Sequence, residues 1–141
     1  MFDDSVAFAL NTVTSPATAD SAIGVASYST RGKQGSLPGA LSPFSGRGPR
    51  IDGQGVLDIA APGHYDIACA TSGDSPGGAF GQYAWFGGTS AAATHVAGAV
   101  ALLLQHNAGL SPLQIRQMLR DAARRDAVAL EIAVHVDPAL A

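Results

Sequence analysis

The sequence contains one cysteine, Cys69, so no disulfide can form within the chain and the fold has no covalent staple. Charge is scarce too: 13% of the 141 residues are Asp, Glu, Lys or Arg, and the formal net charge is -3. The basic residues are scattered apart from Arg124-Arg125, which excludes a cationic surface of the kind that follows a nucleic acid backbone. Asp3 and Asp4 stand where a secretion signal would carry Lys or Arg, so no targeting segment is expected. The longest apolar run, Ala91 to Leu104, falls short of the ~20 residues a bilayer span needs. A soluble protein is expected, without membrane or nucleic-acid partners. What is present is hydrophobic content of 47%, enough for the core of one compact domain and, at this length, too little for two.

The first half alternates short β-branched runs with Gly, Pro, Ser and Thr, a texture of strands and loops. Candidate strands are 22–27, 57–60, 67–71 and 83–86, separated by turns at 31–35 and 72–78. Their continuous apolar character predicts strands buried on both faces, as in a parallel sheet covered by helices. From Ser90 to Gln105 alanine dominates, which predicts a buried helix lying close against a sheet, stopped by Asn107 and Gly109. A second helix starts at Pro112, with Ser111 as N-cap and Gln114 closing a capping box. Ile115, Met118, Leu119, Ala122 and Ala123 form its expected inner face, with Arg116, Arg120 and Arg124 on the other side.

The four histidines, Cys69 and the aspartates show no metal-ligand spacing: there is no His-Glu-x-x-His, no cysteine pair and no alternating acidic loop. Gly46-Arg47-Gly48-Pro49 lacks the ending of a phosphate-binding loop and reads as a turn. The segment from Gly87 to Gly98 carries more. Two glycines allow an unusual backbone path, and Ser90 opens a helix, where its amide and the helix dipole could stabilise an oxyanion. The competing local reading is ordinary N-capping by Thr89 or Ser90.

Gly88-Thr89-Ser90, followed by Ala92 and His95-Val96-Ala97-Gly98, resembles the serine motif of the subtilisin-like proteases, the subtilases. Phe44-Ser45-Gly46-Arg47-Gly48-Pro49 and Leu57-Asp58-Ile59-Ala60-Ala61-Pro62-Gly63 resemble two upstream blocks of that family, in the family's order. Ser15-Pro16-Ala17-Thr18-Ala19 with Ile23-Gly24-Val25-Ala26 resembles the strand before them. Leu110 to Ile115 resembles the penultimate helix, and Val136-Asp137-Pro138 the closing turn.

The resemblance implies a partial subtilisin-like fold: three-layer α/β, with a mostly parallel sheet flanked by helices and one sheet edge left open. It implies a serine endopeptidase in which Ser90 is acylated, its amide is an oxyanion donor, and Thr89 and Gly88 shape the nucleophile turn. His95 matches a structural histidine near the site and is expected to face the interior. Ala91 replaces the usual methionine and Thr94 the usual proline. The aspartate and histidine motifs that precede the serine block in the family do not occur in this sequence, and Asn11 lacks the flanks of the family's oxyanion asparagine. Residues 1–141 are therefore expected to form the C-terminal part of the peptidase domain, inert without an N-terminal half supplied in cis or in trans. The implied partners are that half and a peptide or protein substrate, with self-association along the open edge. No cofactor is needed for the chemistry; structural calcium is compatible with the family, but no site for it is readable. The alternatives are a non-catalytic subtilase-like binding module and an inactive truncated fragment. The family contains secreted and intracellular members, so the compartment stays open.

Overall fold

A computed structural model describes residues 12–32, 35–65, 67–71 and 82–123. Asp3, Asp4, Asn11, the turn at 72–78, Arg124-Arg125, His135 and Val136-Asp137-Pro138 lie outside the described residues. The elements run β1 (Val25–Tyr28), β2 (Ile59–Pro62), β3 (Ile67–Ala70), β4 (Tyr83–Phe86), α1 (Thr89–His106) and α2 (Pro112–Ala122). β1 and β2 pair in parallel, with Val25 opposite Ile59 and Ser27 opposite Ala61.

Alternation along this pair divides the core. Val25, Ile59 and Ala61 meet Ala92 and Val96 of α1 and Ile115 and Leu119 of α2, while Ala26 and Ala60 face Val56, Leu57, Val13 and Leu41 on the other side. Among the described residues, helices cover one face of the pair and loops the other. The molecule is α/β, with a parallel sheet and helices as expected.

The second pair corrects an expectation. β3 and β4 are antiparallel, Ile67 opposite Phe86, and every residue of β4 is exposed. Short apolar runs that predict burial on both faces here form a solvent-facing hairpin, because four-residue runs carry no signal of direction.

Helix α1 starts one residue before its expected beginning and is buried along one stripe only: Ala91, Ala92 and Val96 are enclosed, whereas Leu102 is 67% and Leu104 is 37% exposed. It ends where Asn107 leaves helical geometry, its N–H donating to the Leu103 carbonyl, and the Asn107 side chain then accepts from Gly109 N–H. In α2 the Ser111 hydroxyl accepts from Gln114 N–H while the Gln114 side chain accepts from Ser111 N–H, the reciprocal box expected from the sequence. Ile115 and Leu119 are buried, but Met118 is 42% exposed.

Arg116 and Arg120 do not simply face solvent. Arg116 lies 3.4 Å and Arg120 3.7 Å from the nearly enclosed Asp58 carboxylate, which also accepts from Gly24 N–H at 3.0 Å. Arg116 donates as well to the carbonyls of Asp20 and Ala22. Nearby, Arg50 donates to Asp20, Asp52 and the Thr18 carbonyl, and this hydrogen bonding holds the Asp52 carboxyl at about 2, below the usual carboxylate range. These bonds tie the loops at 17–24 and 50–58 to α2.

Candidate active site

The site is built where β4 turns into α1. Gly88 has φ +101° and ψ 169°, a region closed to side chains, and it serves as the N-cap of α1 without any side-chain capping bond. That removes the ordinary-capping reading of Thr89 and Ser90. The Gly88 carbonyl accepts from the Ala91 and Ala92 amides, and the amides of Thr89 and Ser90 precede the first intrahelical bond. Ser90 is exposed, and the first turn of α1 holds no acidic residue to offset the positive end of the helix dipole. A hydroxyl is thus presented beside backbone donors in a field that favours negative charge.

The turn is fixed from below. Gly88 N–H donates to the Gly63 carbonyl at 2.7 Å, and a Cβ at Gly63 would lie 2.9 Å from Ala92 Cβ and 2.5 Å from Ser27 Oγ. Only the absence of that carbon lets the end of β2 approach the start of α1 so closely.

Among the described residues no histidine is hydrogen-bonded to Ser90. His95 Nδ1 lies 2.8 Å from the Ala91 carbonyl, one turn back on its own helix, and its side chain is on the exposed side rather than facing the interior as expected. On α1, Ala92 and Val96 with Ala99, Val100 and Leu103 pack in the core cluster, and His95 beside them stays exposed. Thr94, in the position where a proline is usual in the resembling motif, donates its hydroxyl to the same Ala91 carbonyl at 2.8 Å and fits the helix without a kink-forming residue. Ala91 is fully enclosed.

His64 is the residue of this region that the sequence patterns did not single out. It is 3% exposed, sits on the turn after β2, and bonds to Ser36 and Ser42. Its only sequence signal is its place after Pro62-Gly63. No group of three or more metal-ligating side chains occurs among the described residues, and no helix among them is long and apolar enough to cross a membrane.

The family model of the subtilases matches residues 7–135. The chain belongs to the subtilase family. It is 29% identical over 116 residues to serine protease AprX of Bacillus subtilis (strain 168), an alignment that covers 78% of this chain and 26% of AprX. It also resembles the crystal structure of a cold-adapted subtilisin-like serine proteinase, with TM-score 0.57 and 36% identity, covering 76% of this chain and 32% of that one. This subtilase chain thus spans about a quarter to a third of the length of these relatives. The family and the fold agree with the resemblance read from the sequence.

Proposed function

We propose that this subtilase chain supplies the nucleophile of a serine endopeptidase whose aspartate, histidine and oxyanion asparagine come from residues outside this sequence, in cis or in trans. The observation that supports this is the uncapped, exposed Ser90 at the start of α1, held by a glycine in a backbone region closed to other residues. In the reaction, Ser90 Oγ attacks the scissile carbonyl and its proton passes to the external histidine. Collapse of the tetrahedral intermediate breaks the C–N bond, and the histidine gives that proton to the leaving amine. Water then hydrolyses the acyl-Ser90 ester with the same histidine as base. The Ser90 amide and the dipole of α1 stabilise the oxyanion, with Thr89 and Gly88 setting the turn. This chemistry calls for no cofactor.

Without that base the serine is a weak nucleophile, since the members of a triad act as a unit. His64 and His95 are engaged with Ser36, Ser42 and the Ala91 carbonyl, which supports the same expectation of inertness. The test refolds the chain alone and together with a subtilase N-terminal half, then measures casein hydrolysis and fluorophosphonate labelling located by mass spectrometry. Turnover by the chain alone should not exceed that of Ser90→Ala, and the assembly should be labelled at Ser90. Tight association without labelling favours the binding-module alternative; hydrolysis by the lone chain, abolished by Ser90→Ala, refutes the dependence on a second half.

A further inference from the structure

We propose that His64 is a positioning residue for the nucleophile turn, holding Gly87 and Gly88, and through them Ser90, in register with the end of β2. The proposal rests on the reading of Ser90 as nucleophile. Three observations lead to it. An imidazole enclosed to 3% exposure must find polar partners, and His64 finds them on a different part of the chain: Nε2 lies 3.2 Å from Ser36 Oγ and Nδ1 lies 3.3 Å from Ser42 Oγ. Ser42 Oγ in turn meets the buried Ser27 Oγ at 2.9 Å, and the ring stacks on Phe44 with centroids 5.7 Å apart. Each hydroxyl can donate or accept, so the ring is accommodated in either neutral tautomer.

The neighbours of His64 are the residues that touch the nucleophile turn. Gly63 accepts the Gly88 N–H, and Tyr65 lies so close that a Cβ at Gly87 would fall 2.4 Å from its Cδ1. Gly63-His64-Tyr65 is therefore the floor beneath Gly87-Gly88. From the strand side, this floor is held by the Gly63 and His64 amides sharing one acceptor, the Tyr28 carbonyl, at 3.2 and 3.3 Å. The imidazole adds a second restraint, through Ser36 and through Ser42, whose N–H donates to the Ser27 carbonyl of β1. Because α1 has no side-chain cap, what lies under Gly88 fixes where the helix begins. Displacement of about 1 Å at a reacting group can cost on the order of a hundredfold in rate, so such a restraint bears directly on the chemistry.

The experiment measures residue-resolved amide exchange by NMR on the full chain as wild type, His64→Leu, His64→Gln and Leu119→Ala. The last variant weakens the core at α2 without touching the floor, and comparison is made at matched global stability. In His64→Leu the bonded amides of Gly88, Ala91 and Ala92 should exchange about tenfold faster than in Leu119→Ala, with amides beyond Val96 unchanged, and His64→Gln should recover part of the protection. Uniform acceleration along α1, or equal exchange in His64→Leu and Leu119→Ala, overturns the proposal. If His64→Leu does not fold, the comparison of His64→Gln with Leu119→Ala carries the same two outcomes. A second arm follows fluorophosphonate labelling of Ser90 in the assembly with an N-terminal half, expected to slow about tenfold in His64→Leu. An unlabelled wild-type assembly refutes the nucleophile reading alone, because the exchange result does not depend on it.

Discussion

Gly88 bears the tightest residue-level constraint in the site. Its φ of +101° with ψ of 169° is available almost only to glycine, and Gly88→Ala should lower stability by about 1–3 kcal/mol in thermal or urea unfolding. His95 is the opposite case. Its one bond within the helix, to the Ala91 carbonyl, and its exposed position make His95→Ala a small change, within about 1 kcal/mol of wild type in the same unfolding measurements. The contrast was only half legible in the sequence. Two glycines before a serine signal an unusual turn, because few other residues can take that path. The direction of His95 depends on where the apolar stripe of α1 meets the sheet, and an alanine-rich helix does not mark its buried face strongly.

At the scale of elements, α2 is fastened by two unlike devices. Its start is set locally, by the Ser111–Gln114 box and Pro112, and both were legible because capping chemistry lies within four consecutive residues. Its outer side is fastened at long range through Asp58, whose side chain is 9% exposed and gathers Gly24, Arg116 and Arg120. No local pattern links Asp58 to arginines that far along the chain, so helical spacing places them only on the side away from the inner face. Asp58→Asn keeps an acceptor for Gly24 but removes the charge facing both guanidinium groups. The partial exposure of those arginines moderates the effect, and the expected loss is about 1–3 kcal/mol, measured by urea unfolding. The antiparallel pairing of β3 with β4 was illegible for a related reason: four-residue runs carry no signal of the partner's direction.

At the scale of the whole molecule, apolar side chains among the described residues remain uncovered on β4, α1 and α2, Leu113 of α2 being 69% exposed. Tyr83 is 79% and Trp85 58% exposed on β4, and Leu102 is 67% exposed on α1. Surfaces of this kind favour association, so sedimentation equilibrium should give a mass that rises with concentration. Trp85 is the sole tryptophan, and its emission should shift to the blue over the same range, with Trp85→Lys moving both curves to higher concentration.

The bond from Gly88 N–H to the Gly63 carbonyl also makes the segment between them a closed excursion: the chain leaves β2, forms the β3–β4 hairpin, and returns to within 2.7 Å of its departure. Ser90 is referenced to the base of that excursion. Lengthening a flexible loop in general adds only about 0.6 kcal/mol of closure entropy per doubling. Sequence inserted between β3 and β4 should thus leave the position of Ser90 unchanged.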